Sequence, residues 1–205
     1  PILVTAGKAP SFEAPDRISF RRLMQVSPLA VVGMVFVGIA VSMLFGMGSV
    51  YGRSIGLNNT QVGYFMASIT LGTLALQYPI GRLSDRFDRR VVIFGVAVIA
   101  GIAISIAGFF GADQFISLFI LMLVFGGLLF SLYSLFIAHA NDYLPPSQMV
   151  AMSSGLLMIN SAGAVIGSPL AASVIEFVGT RGFMPTIAGF LFLLAGFVLY
   201  RMSMR

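Results

Sequence analysis

Gly81-Arg82-Leu83-Ser84-Asp85-Arg86-Phe87-Asp88-Arg89-Arg90 places six charges in ten residues of a chain in which only 9% of residues are charged. Largely apolar runs flank it, residues 61–80 before and 91–110 after. Each run has about 20 residues, enough for a helix to cross the hydrocarbon core of a bilayer. Ten residues are too few for a domain, so the stretch reads as a tight basic loop between two membrane spans. Arg82, Arg86, Arg89 and Arg90 put that loop on the cytoplasmic side, because short cytoplasmic loops carry an excess of cations.

Composition agrees. The 205 residues are 58% hydrophobic, with a net charge of +5 and a mean hydropathy of +0.99. A soluble domain of this size does not hide that much apolar surface, so a polytopic membrane protein is the expected class. The positive charge does not point to nucleic acid, since the cations sit at span ends and not on one basic face. There is no cysteine, which excludes disulfide and thiolate chemistry, and a single histidine precludes a multi-histidine metal site within the chain. No cofactor motif and no Walker-type nucleotide loop is present. The first residue is Pro1 and the first methionine is Met24, so the sequence reads as a piece of a longer chain.

Residues 1–27 read as a cytoplasmic linker and juxtamembrane segment, and residues 28–205 as a bundle of six spans. The expected spans are about 29–51, 61–80, 91–110, 115–138, 149–175 and 183–200. Arg17 to Met24 mixes arginine with Ile18, Phe20 and Leu23, which suits a membrane surface. Asn58, Asn59 and Thr60 are good helix caps for the second span, and Ser147 for the fifth. Pro79 is expected to break the second span before the basic loop. On the putative cytoplasmic side lie Lys8, Arg17, Arg21, Arg22, Arg82, Arg86, Arg89, Arg90, Arg201 and Arg205; opposite lie only Arg53 and Arg181. That bias places both termini of the segment in the cytoplasm.

Gly81, Asp85, Arg86, Arg89 and Arg90 form the pattern G-x-x-x-D-R-x-x-R-R between two spans. This resembles the signature loop of the major facilitator superfamily, found between helices 2 and 3 and, more loosely, between helices 8 and 9. The family pattern usually has glycine where this chain has Asp88. The resemblance implies an all-α membrane protein whose six transmembrane helices are the C-terminal half of a twelve-helix major facilitator fold. It implies as partners the lipid bilayer, the N-terminal six-helix half of the same protein and a small solute, in a bacterial inner membrane. A proton is the candidate coupling ion. It also implies that Asp85 is a gate residue docking against a helix of the other half. A carboxylate at a partly buried helix N-terminus is worth up to ~2 kcal/mol, a size suited to a gate separated by a few kcal/mol. The plainer reading is that Asp85 pairs with Arg86 or Arg89 and shapes the loop.

Polar side chains are unevenly shared among the spans. The third has Ser105 alone and the sixth Thr186, whereas the second, fourth and fifth carry many. Polar groups in hydrocarbon turn toward protein or a wet cavity, so those three are expected to line a path, and the third and sixth to face lipid. Thr70, Thr73 and Gln77 share one helical face. Gln77, Thr73, Tyr133, Asn160 and Ser161 are the candidate path residues, each with helix packing as the plain alternative. In the fifth span Gly163, Gly167 and Ala171 recur every four residues and suit close backbone packing, and Pro169 is expected to bend that helix. His139 and Asp142 invite a proton-relay reading, but a helix C-terminus favours histidine for structural reasons. No Asp, Glu, Lys or Arg sits in the middle of a span, so an ion-coupling carboxylate is expected in the other half.

The leading function is secondary transport of a small solute by alternating access. A membrane enzyme would need a nucleophile–base set or a metal cluster, and neither is visible. The remaining alternative is a six-helix scaffold or assembly protein without transport activity.

Overall fold

The computed structural model describes residues 20–204. Lys8, Arg17, Arg205 and most of the expected linker therefore lie outside the described residues. Seven α-helices are described: α1 (Phe20–Val26), α2 (Pro28–Ser54), α3 (Asn59–Arg86), α4 (Arg89–Ala107), α5 (Phe115–Asn141), α6 (Pro146–Phe177) and α7 (Phe183–Ser203). Single 3-10 turns, Ala112–Gln114 and Thr180–Gly182, precede α5 and α7.

Local chemistry sets the starts. The Ser27 hydroxyl accepts the Ala30 amide at 3.3 Å, and Pro28 occupies the first helical turn, where its missing N–H costs nothing. Asn58 and Gln61 form a reciprocal capping box, both bonds 2.9 Å. Asp88 caps α4 by accepting the Arg90 amide at 2.9 Å. Ser147 is not the cap of α6: that helix begins at Pro146 behind an extended Pro145 and has no side-chain cap. Two prolines in sequence set the start through their fixed φ.

The basic stretch differs from the expected ten-residue loop. Helix α3 runs through Pro79 and on to Arg86, and α4 begins at Arg89. Only Phe87 and Asp88 lie outside helix. Pro79 removes one backbone hydrogen bond, but its ring is exposed and the flanking turns carry the helix past it. The charged run marks where the helix leaves hydrocarbon, not where it ends. At 28 residues α3 is about 42 Å long, more than the ~30 Å core requires.

A long helix overlaps each expected span, most with extended ends, but α4 stops at Ala107, short of the expected 110, because the chain turns at Gly108. Five of them, α2, α4, α5, α6 and α7, are both long and apolar enough to cross a membrane. Helix α3 is as long but more polar. The packing is pairwise. α2 lies against α6, α3 against α5, and α4 against both α5 and α7. Phe65, Phe125, Phe136, Phe183, Met34 and Met43 are fully buried between them. Tyr51 stacks on Phe183 with ring centroids 5.0 Å apart. Short α1 rests on the end of α2 and α6 through buried Leu23, with Arg21 and Phe20 exposed.

Candidate functional site

At one end of the bundle the helix termini bring the basic residues together. Arg89, with only 18% of its side chain exposed, lies between two carboxylates. Its Nη2 donates to Asp85 on the last turn of α3 at 3.4 Å, and its Nε lies 3.2 Å from Asp142 just past the end of α5. Arg90 donates to the Tyr143 hydroxyl at 3.2 Å. The turn is thus tied across three helices. Both carboxylates are well exposed, so water screens each pair to about 1 kcal/mol or less. The network positions the turn and contributes little to holding the bundle together. Arg82 lies over the Tyr78 ring, 5.0 Å from its centroid, while Arg86 and Gly81 line the outer side of the same end.

Asp142 as a partner of Arg89 was not visible in the sequence, where 53 residues separate them. The Asp88 substitution also has a local explanation: its φ of −53° needs no glycine, and its carboxylate caps α4. His139 is buried and packs edge-on against Tyr143, centroids 5.4 Å apart.

The candidate path residues divide into two groups. Gln77 is exposed on α3, and its Nε2 donates to Ser134 on α5 at 2.7 Å. Thr73, half-buried, donates to the Ile69 carbonyl of its own helix at 3.1 Å. Tyr133 is half-buried against the core. Ser161 is exposed on α6 and donates to the Leu157 carbonyl at 3.0 Å. Asn160, one residue away, belongs to the other face: its Nδ2 donates to the Met34 carbonyl of α2 at 3.0 Å.

That inner face of α6 is a seam of small residues. A Cβ on Gly163 would run into the Val35 carbonyl, and one on Gly167 into the Ile39 carbonyl; on the α2 side, one on Gly38 would meet the Asn160 carbonyl. Ala171 continues the row, fully buried. The hydroxyls of Ser42 and Ser168 are 2.7 Å apart, and Ser168 also reaches the Ser42 carbonyl. In lipid there is little hydrophobic drive between helices, so such backbone-depth contact is what holds them. Pro169 faces outward from this seam and α6 continues through it.

Outside the seams the helices present uncovered faces of different chemistry. On α4 the exposed side chains are Val91, Ile99, Ile102 and Ile106, and on the middle of α7 Phe192 and Leu193. Ser105 of α4 and Thr186 of α7 donate to carbonyls four residues back, and Ser203 in the last turn of α7 donates to the Tyr200 carbonyl. The uncovered face of α3 carries Tyr64, Thr70, Leu74 and Gln77, and that of α6 Ser154, Met158, Ser161 and Val165. Among the described residues no group of three or more His, Asp or Glu is placed to hold a metal ion.

The Major Facilitator Superfamily sequence profile matches residues 30–204. The chain belongs to that family. It is 31% identical over 178 residues to proteins of Shigella flexneri and Escherichia coli that each bear the description "Uncharacterized MFS-type transporter YcaD". The match takes in 86% of this chain and 45% of each relative, so the chain spans about half their length. No solved structure matches.

Proposed function

We propose that this chain is the C-terminal six-helix half of a secondary transporter that moves a small solute by alternating access, in a bacterial inner membrane with both ends of the segment cytoplasmic. The observation that carries the reading is the family match over residues 30–204 in a chain about half the length of its transporter relatives. The uncovered faces support it. Thr70 and Gln77 on α3, and Ser154 and Ser161 on α6, lie on outward surfaces of membrane helices. Ser154 and Ser161 are bonded back to the Val150 and Leu157 carbonyls, so it is Thr70 and the Gln77 amide that call for a protein or water neighbour, which an N-terminal half and a solute path would supply. Gln77, Thr73, Tyr133 and Ser161 are then the residues of this half nearest the path, while Asn160 acts through the α2–α6 seam.

Asp85 is the proposed gate residue. Its carboxylate is 70% exposed and holds Arg89 only loosely, leaving it able to meet a helix terminus of the other half. The coupling carboxylate, if a proton drives transport, belongs to that half, since the middles of these helices carry no acid.

The test is flux in proteoliposomes containing the full-length protein, with lipophilic cations, sugars and amino acids offered with and without a proton gradient. Wild-type protein is expected to move at least one solute class in a gradient-dependent way. Asp85→Asn is expected to insert and fold normally but to transport at under a tenth of the wild-type rate. Undiminished flux in that variant removes Asp85 from the gate. No flux from folded wild-type protein for any solute favours a scaffold instead.

A further inference from the structure

A small cavity opens at the end of the bundle that carries the basic turn, where the start of α2 and the start of α4 meet the ends of α5 and α7. Its volume is about 90 Å³. Its polar lining is Arg90, Arg201, His139 and Tyr143, and Ser27 and Leu29 at the start of α2 complete the wall. Among the described residues no carboxylate lines it. His139 and Ser27 are each less than 5% exposed, so this is a built recess and not a patch of surface cations. Arg90 is fixed by the Tyr143 hydroxyl at 3.2 Å, and Tyr143 by the His139 ring. The 27-residue helix α2 begins at the cavity wall, so the positive end of its dipole adds to the field of the two guanidinium groups.

Three features select the ligand. The charge is positive from three elements, so the ligand is an anion. The volume admits a tetrahedral oxyanion but not a nucleoside or a sugar phosphate as a whole. The guanidinium groups of Arg90 and Arg201 offer the forked donors that match phosphate oxygens. The recess also lies at the ends of long apolar helices, and basic pockets between membrane helices take anionic lipid heads. We propose that Arg90, Arg201 and His139 form a binding site for a phosphate group, carried by an anionic phospholipid or free in solution. The site is separate from the Asp85–Arg89–Asp142 network and does not depend on which solute the protein moves.

The experiment uses the full-length protein in two arms. In the first, it is reconstituted in phosphatidylcholine nanodiscs with increasing phosphatidylglycerol, and thermal stability is followed with lipid content. In the second, inorganic phosphate is titrated into pure phosphatidylcholine discs, with chloride at equal ionic strength as the reference. Wild-type protein is expected to be stabilised in a saturable way in at least one arm. Stabilisation by phosphatidylglycerol alone identifies the lipid as source, and stabilisation in both identifies the phosphate group itself. Arg201→Gln is expected to weaken the apparent affinity about tenfold, the size of one lost charge-assisted bond, and Arg201→Lys to recover part of it. Arg181→Gln, at the opposite end of the bundle, is expected to behave as wild type. Arg201 is half-buried in the last turn of α7, and an unchanged melting temperature of Arg201→Gln in pure phosphatidylcholine discs without phosphate checks that the variant folds. Equal saturation curves for wild type and Arg201→Gln in both arms, or no saturable response to either probe, overturn the proposal.

Discussion

The outer faces of α4 and α3 are both long, uncovered and helical, yet they are made of different material. On α4 the exposed positions are isoleucine and valine, and the one hydroxyl is bonded back into its own helix. On α3 tyrosine, threonine and glutamine interrupt the leucines, and Gln77 reaches sideways to α5. Burial alone does not separate them, since each leaves large side chains open. The lesson is that in a membrane protein exposure is defined by the chemistry of the exposed group. An uncovered isoleucine needs only lipid; an uncovered amide needs water or another protein.

The largest effect expected from this contrast comes from charge. In the full-length protein Ile99→Arg, midway along α4, is expected to cost about 3 kcal/mol of insertion or stability, the price of a cation facing the bilayer centre. Thr70→Arg, at similar depth on α3, is expected to cost under half of that. Folded yield and thermal stability measure both. The chain has no tryptophan, so Ile99→Trp and Thr70→Trp each give a single reporter within residues 1–205; brominated lipid is expected to quench the first and spare the second. Equal quenching would mean that α3 faces lipid after all, and the contrast would lose its meaning.

The seam sets the next scale. Gly167→Ala pushes a methyl against the Ile39 carbonyl of α2, and such overpacking costs about 1–3 kcal/mol. Gly196→Ala on the open side of α7 meets nothing within 4 Å and is expected to be neutral or slightly stabilising, by under about 1 kcal/mol. Denaturation in detergent of both variants distinguishes a packed face from an open one. The smallest effect is that of Gln77→Leu. It removes the bond to Ser134, and interhelical bonds of this kind average roughly 0.6 kcal/mol in membranes. A loss of transport far beyond what that destabilisation explains would place Gln77 on the solute path.

Much of this architecture was legible because its determinants are local. The start of α3 announced itself in Asn58, whose side chain caps that helix, whereas Ser147 did not cap α6. The division between polar and apolar helices was also present in composition. What escaped was of two kinds. Gly81 to Arg86 read as loop because a charged run must leave hydrocarbon, but a helix may leave it too, and only Phe87 and Asp88 break the chain. The other kind was non-local. That Arg89 would find Asp142, that Asn160 would turn to Met34 while Ser161 faces outward, and that Arg201 would meet Arg90 across a cavity all depend on helix rotation and pairing. No periodicity in one helix encodes which carbonyl of another lies opposite.

The α2–α6 seam has a consequence in time. Its bonds join Met34 to Asn160 and Ser42 to Ser168, in both cases 126 residues apart. Chains are made at roughly 5–20 residues per second, so α2 is complete on the order of ten seconds before its partner emerges. During that interval the strip around Gly38, Ser42 and Gly46 is without the α6 backbone that closes on it. Protein quality control therefore meets this segment first as an α2 without its mate, and a fault in α6 is felt as an orphaned α2.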